Sequence, residues 1–369
     1  GYSFLWVIVI AALCMTAYVS MAVRFGVVNE NSILQGIADK YGRWFAVLIG
    51  ISSFMSAMSF QFGNNLGIGI GMEGITGIDE RVWPLVFTSL AIVLLFWTKN
   101  LYKVLENSMM VLVMIMILAF FINLCLTKPD MGEVARGFLP SSLKFKDMDI
   151  ISAMVATTFA VNGAIYQSYL VKDKGWKIAQ LRRGLNDSYM GIFFLALISI
   201  LIVITSAAAL HPMGITVNSA ADMAIQLEAL FGNYAKVIFS LGLCAAAFSS
   251  LMVNAVIGGG LLSDGLGLGS SMNQRMPKIF TAVILLLGMM IGVFFRGDII
   301  YALILAQAST IIAVPFIALG MCLILNNKDA MGDLRNTKLQ NIMAVLGFVL
   351  ISIIVYFMYA KMIDFIGSL

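Results

Sequence analysis

Long apolar stretches separated by short polar loops run along the whole chain. A helix needs about 20 mostly apolar residues to cross the hydrocarbon of a bilayer. By this criterion the pattern predicts ten spans, which form a single transmembrane domain over residues 1–369. The spans lie near residues 4–23, 44–72, 83–98, 107–126, 150–171, 189–210, 235–263, 279–295, 299–325 and 340–360. In the loop before the seventh span, the stretch NSAADMAIQLEALFG favours a short interfacial helix.

The fifth span, IISAMVATTFAVNGAIYQSYLV, has a polar break in its middle at Asn162-Gly163. A spanning helix avoids such a pair at bilayer depth because hydrocarbon satisfies no freed backbone group. In secondary transporters, discontinuous helices near the midplane expose carbonyls and side chains to the substrate. A glycine packing contact beside an asparagine bonded to a neighbouring helix is the alternative. The transporter interpretation predicts a non-helical segment here that faces the centre of the protein.

Composition supports a polytopic membrane protein. Apolar residues make up 61% of the chain, charged residues 11%, and the mean hydropathy is +0.97. The net charge of +4 is small and scattered, so a nucleic-acid partner is not expected. The only histidine, His211, lies beside Pro212 at a span end and is interpreted as a loop residue. The cysteines lie in apolar stretches without metal-ligand spacing and are expected to pack as small apolar residues: Cys14, Cys125, Cys244 and Cys322.

The distribution of basic residues predicts the orientation. Fifteen lysines and arginines follow the odd-numbered spans and eight lie on the other side, so the first set is predicted to be cytoplasmic. Gly1 then lies outside, and the chain starts without an initiator methionine or a signal peptide. We therefore expect at least one helix and a cytoplasmic N-terminus before Gly1.

Acidic residues are absent from the middle of the predicted spans. All 19 lie in loops or near span ends, with Glu73, Glu106 and Asp264 closest to the membrane. Buried acids are the usual proton relays of transporters, so the spans offer no obvious proton path. Hard divalent cations bind oxygen ligands that usually include a carboxylate. We therefore expect the ion-binding carboxylate to come from the helix that precedes Gly1.

Two spans carry amide side chains near their middle. In the second span, Gln61, Asn64 and Asn65 lie within about one turn, where they could line a wet cavity or bond across helices. In the ninth span, Gln307 shares a helix face with Thr310, which makes a pore-facing glutamine one of two interpretations. Pro315 frees a carbonyl near residue 311. Small residues in the second and seventh spans favour close helix packing: Gly63, Gly67, Gly71 and Gly258–Gly260.

Several collinear segments resemble the NRAMP family of metal-ion transporters. The opening GYSFLWVIVIAALCMTAYVSMAVRFGVV is similar to the second helix of that family. Further similar segments are YKVLEN at 102–107 (fifth helix), FSS at 248–250 (eighth), LAQASTIIAVPF at 305–316 (tenth) and NNKDAMGDLRN at 326–336 (the loop after it). The resemblance implies an all-α transporter of the LeuT-type inverted-repeat fold with broken helices, of which this chain carries helices two to eleven.

The chain departs from the family at the break of the sixth helix. Where the family has Met-Pro-His-Asn, this chain has Ala160, Val161, Asn162 and Gly163, and Gln167 replaces a later histidine. The family's methionine is a soft ligand that favours transition metals. The alanine widens the site and leaves only a carbonyl.

Two acids linked to proton movement in the family's third helix correspond to Gln61 and Asn64, whereas Gln307 matches the family's helix-ten glutamine. This pattern resembles the NRAMP-related magnesium transporters. It implies a metal site at Ala160, Asn162, Gly163, Gln307, Gln61 and Asn64.

The resulting hypothesis is a non-enzymatic carrier in a bacterial plasma membrane that takes up Mg²⁺, and also Mn²⁺, without proton coupling. Its partners are the transported ion and the bilayer, and it has no cofactor. One alternative is a proton-coupled Mn²⁺/Fe²⁺ transporter, and another is an amino-acid transporter of the same fold. A receptor or scaffold predicts no broken helices.

Overall fold

The architecture is helical throughout the part of the chain that the structure describes. This computed structural model describes residues 2–97, 114, 117–140, 147–215, 220–227, 231–294 and 314–367. The α-helices are α1 Leu5–Val28, α2 Ile33–Tyr41, α3 Arg43–Thr76, α4 Val82–Trp97, α5 Ile117–Thr127, α6 Met131–Gly137, α7 Met148–Thr158, α8 Val161–Asp173, α9 Leu181–Leu210, α10 Ala220–Ile225, α11 Ala235–Gly265, α12 Arg275–Phe294, α13 Val314–Asn326, α14 Lys328–Met331 and α15 Lys338–Gly367.

Each of the ten predicted spans contains a described helix. Seven segments are long and apolar enough to cross a membrane, with α7 and α8 together forming one of them. Three shorter apolar helices, α4, α5 and α13, account for the other spans. The prediction of a multi-pass membrane protein is therefore confirmed.

Polar residues at helix ends account for the main differences from the predicted boundaries. The helix α9 begins at Leu181 rather than near residue 189, because its first two turns are polar yet helical. The helix α2 was not predicted. It begins after Ser32, whose side chain accepts the Gln35 N–H, and it buries its apolar face. A short helix, α10, lies within the stretch expected to form an interfacial helix.

Two buried clusters hold the bundle together. The larger one joins α1 to α2, α7, α8, α13 and α15, with Tyr18, Phe25 and Phe159 among its largest fully buried side chains. The second lies where α3 packs against α4, α11 and α12. The broken pair α7 and α8 thus belongs to the first cluster, in which both helices pack against α1.

Small residues on α3 allow α11 to approach closely, as predicted for this face. A Cβ at Gly71 would lie 2.8 Å from the Ser240 carbonyl oxygen and 3.0 Å from the Cys244 Cβ. A Cβ at Gly67 would lie 3.0 Å from the Ala247 Cβ. Contact of this kind is the main source of helix association in lipid.

Gly71→Ala is expected to lower the free energy of unfolding by about 1–3 kcal/mol, because the new methyl group displaces the α11 backbone. Gly191→Ala is the control. In the described part of the chain, no atom outside its own helix lies within 4 Å of a Cβ at Gly191, so the change should be neutral or stabilise by up to about 1 kcal/mol. Thermal unfolding of both purified variants in detergent measures the difference. Equal effects would contradict the packing account.

Candidate metal-ion site at the helix break

The fifth span is interrupted, but two residues earlier than the sequence predicts. The Phe159 N–H donates to the Val155 carbonyl at 2.7 Å, and the Ala164 N–H donates to the Ala160 carbonyl at 3.1 Å. Between them the chain leaves helical geometry, with φ −99° and ψ 59° at Phe159 and φ −75° and ψ 83° at Ala160. The break is therefore at these two residues, and the prediction of a non-helical Asn162-Gly163 is wrong.

Asn162 and Gly163 instead form the first turn of α8. Both are poor helix formers in a helix interior. In the first turn their N–H groups have no intrahelical acceptor in any helix, so the low propensity has little effect there. This explains why the polar pair follows the break rather than forming it.

The break is fixed in place by the ring of Phe159. The ring is 1% exposed and meets Tyr18 of α1 edge-on, with 5.2 Å between ring centroids. It also lies close to Gly347 of α15, where a Cβ would be 3.2 Å from the ring. The Tyr18 hydroxyl donates to the Ala344 carbonyl at 2.9 Å. The non-helical residues thus face the interior between α1 and α15, as predicted for a central break.

Two helix ends meet at the break. The last carbonyls of α7 and the first N–H groups of α8 have no partners within their helices, and the N-cap residue of α8, Ala160, makes no side-chain cap. The carbonyl end of a helix carries partial negative charge, which favours a cation. The break therefore offers oxygen ligands without any carboxylate.

The side chain of Asn162 adds an oxygen to this group. The residue is 6% exposed, and its Oδ1 has no hydrogen-bond partner among the described residues. An unpaired buried acceptor is costly unless it has a ligand. Ala160 and Gly163 leave room beside it among the described residues. Ala160 is half-buried, and the nearest described side-chain atom to a Cβ at Gly163 is the Met15 methyl carbon at 3.9 Å.

The amides of α3 have contacts with other helices. Gln61 is fully buried, and its Nε2 donates to the Leu251 carbonyl of α11 at 2.7 Å. The Asn65 Nδ2 donates to the Gln61 carbonyl, and the Thr88 hydroxyl of α4 donates to the Asn65 Oδ1. Asn64 is 8% exposed, with its Nδ2 unpaired in the described part of the chain. The side chain of Gln61 thus lies where α3 packs against α11, and none of these contacts joins it to Asn162.

The sequence also singles out Gln307 and Gln167. Gln307 lies outside the described residues. Gln167 donates to the Ser188 hydroxyl of α9 at 3.0 Å, so its amide is engaged beside the break rather than at it. No three His, Cys, Asp or Glu side chains come together in the ranges that the structure describes. Among the described residues, the ligands that the break offers to an ion are therefore carbonyl and amide oxygens.

Comparison with known proteins gives matches that cover almost the whole chain. A divalent metal cation transporter MntH of Deinococcus radiodurans is 26% identical over 96% of this chain and 81% of its own length. A protein of the same name from Yersinia enterocolitica is 24% identical over 94% of this chain and 84% of its own.

Solved structures show the fold. The manganese transporter of Eremococcus coleocola, in complex with an aromatic bis-isothiourea compound, matches with a TM-score of 0.76. It is 17% identical over 96% of this chain and 79% of its own. The nucleobase-cation-symport-1 transporter Mhp1 matches with a TM-score of 0.57 and 15% identity over 98% of this chain and 88% of its own. These matches confirm the LeuT-type transporter fold with its broken helices.

The family model described as "Natural resistance-associated macrophage protein-like" matches residues 1–361. The matched residues include the break, the amide group on α3 and the buried contacts between helices described above. The chain therefore belongs to the Nramp family.

Proposed function

We propose that this protein carries divalent cations across a membrane through the break between α7 and α8, with Mg²⁺ as its main substrate and Mn²⁺ as a second. Family membership and the names of the MntH relatives support divalent cation transport. The choice of Mg²⁺ depends on the residues at the break. Mg²⁺ is a hard ion that binds oxygen and retains several of its waters.

The observation that carries the proposal is the ligand chemistry of the break. Carbonyl oxygens of α7 and the unpaired Oδ1 of Asn162 are hard ligands, and Ala160 supplies no sulfur. Half-buried Ala160 and the absence of close contacts with described residues at Gly163 provide volume for waters on the ion. A soft thioether ligand would instead favour transition metals.

The amide group on α3 supports transport without proton coupling. Gln61, Asn64 and Asn65 do not titrate. Gln61 donates a hydrogen bond to α11, and Asn65 accepts one from α4. Asp264 is the one acid among the described buried side chains, and it lies next to the end of α11. The membrane potential alone favours entry of a divalent cation by about 4.6 kcal/mol per 100 mV, so proton coupling is not needed for accumulation.

Uptake into liposomes tests this proposal. The purified protein is reconstituted with a Mg²⁺-sensitive dye inside, and a K⁺ gradient with valinomycin sets an inside-negative potential. We expect Mg²⁺ influx at millimolar external concentration that grows with the potential, and competition between Mg²⁺ and Mn²⁺. Uptake of Mn²⁺ that excess Mg²⁺ does not reduce would refute Mg²⁺ as a substrate.

A proton-coupled Mn²⁺ transporter is the second candidate. The observation that favours it is the structural similarity to the Eremococcus coleocola manganese transporter, which matches this chain with a TM-score of 0.76. In the same vesicles, a proton-coupled transporter predicts the opposite of transport without proton coupling: the interior acidifies as Mn²⁺ enters.

A further inference from the structure

A buried carboxylate joins three helices on the side that the charge distribution assigns to the cytoplasm. Asp264, next to the end of α11, is 5% exposed, and its Oδ2 accepts a hydrogen bond from the Tyr169 hydroxyl of α8 at 2.5 Å. Ser32, whose hydroxyl caps α2, lies beside this carboxylate. One acidic group thus holds α2, α8 and α11 together.

Basic groups surround this carboxylate. Arg43 donates from Nη1 to the backbone carbonyl of Asp264 at 3.3 Å. The Lys172 ammonium donates to the Asn31 carbonyl, and both cations interact favourably with the carboxylate. Two positive charges beside one negative charge disfavour a metal ion here. The cluster is therefore suited to holding helices together rather than to binding the transported ion.

Aromatic side chains of α8 also pack at its contact with α11. The rings of Tyr166 and Tyr169 are stacked, with 5.2 Å between centroids and 13° between planes. A Cβ at Gly260 of α11 would lie 3.4 Å from Cε2 of Tyr166. From the start of α8 to Tyr169 the helix rises about 12 Å, so the stack lies between the break and the cytoplasmic side.

We propose that the Tyr169–Asp264 contact is a cytoplasmic latch that keeps the path from the break closed. Because the break removes the backbone hydrogen bonds between α7 and α8, α8 can tilt without unwinding either helix. The cytoplasmic end of α8 is then held by side-chain contacts. A hydrogen bond to a buried carboxylate is the strongest kind of such contact. The latch rests on the proposal that the break is the ion path, and it opens when α8 moves away from α11.

Thiol accessibility tests the latch without any metal ion. The four native cysteines are replaced, and Gly163→Cys places a single thiol at the break, where a Cβ has 3.9 Å of clearance. A membrane-impermeant thiol reagent is applied from the cytoplasmic side. Tyr169→Phe removes the hydroxyl and keeps the ring stack, so we expect labelling roughly fivefold faster or more.

Tyr41→Phe is the matched control. It also removes one hydroxyl bond near the cytoplasmic side, from Tyr41 to the Leu323 carbonyl at 3.0 Å, but it touches neither α8 nor α11. Labelling in this variant should match that of the background. An equal acceleration in both variants would overturn the latch.

Asp264→Asn gives an independent measurement, since it weakens the same bond from the other partner. A folded Tyr169→Phe or Asp264→Asn variant that labels at the background rate would refute the latch. If neither variant folded, the contact would be a requirement of the fold rather than a switch, which also refutes it. Because no metal is used, these outcomes do not depend on whether the transported ion is Mg²⁺.

Discussion

Ala160→Met is expected to make Mg²⁺ a much poorer competitor of Mn²⁺ uptake. The methionine thioether would fill volume that a partly hydrated ion needs, and sulfur is a poor ligand for Mg²⁺. We expect the Mg²⁺ concentration that halves Mn²⁺ uptake to rise by about tenfold or more. Uptake of both ions into the same vesicles, with a thermal unfolding check, measures the change.

Ala153→Met is the control for added volume. Ala153 is also half-buried and lies on α7, seven residues before the position tested, at the edge of the same buried cluster. It should leave the Mg²⁺/Mn²⁺ ratio unchanged. If Ala160→Met folds normally and also leaves that ratio unchanged, Ala160 has no part in selectivity.

Asn162→Ala is expected to reduce uptake of both ions by about tenfold or more, with little loss of stability. The reason is that Oδ1 is buried and unpaired, so its removal deletes an ion ligand without breaking a hydrogen bond within the described residues. A buried acceptor without a partner contributes no stability of its own. Initial rates of uptake and the unfolding temperature are measured on the same preparation.

Asn123→Ala provides the comparison. Asn123 of α5 is fully buried, and both polar atoms of its amide lack partners in the described part of the chain. Its neighbours on α5, Phe120 and Leu124, pack in buried clusters that contain no residue of α7 or α8, so its replacement should leave uptake unchanged. Normal uptake by a folded Asn162→Ala variant would remove that side chain from the proposed ligand set.

The sequence predicts the spans well because bilayer thickness sets their length and hydrocarbon excludes charge. The positions of helix ends are less predictable. Arg24, counted as a loop residue, is 5% exposed within α1. Its guanidinium donates to the Leu334 carbonyl and the Asn336 Oδ1. These acceptors pair the buried charge, which hydropathy alone would place outside the helix span.

At the candidate site, too, the local sequence predicts some features, whereas others depend on contacts between distant segments. The Asn-Gly pair located the break to within a few residues, since only a helix end accommodates both easily. Which residues leave the helix depends on Phe159, whose ring is held by Tyr18 and α15. Contacts between distant segments, such as Tyr169 with Asp264, have no local pattern in the sequence that would reveal them.

Proton movement during metal influx tests the central claim most directly. Liposomes containing the protein hold a pH-sensitive dye and a Mg²⁺-sensitive dye, and a fixed inside-negative potential drives uptake. Our account predicts Mg²⁺ and Mn²⁺ influx with no acidification beyond that of protein-free vesicles. The reason is that the side-chain amides of Gln61 and Asn64 do not titrate. Acidification that follows metal entry and disappears when metal is withheld would contradict it.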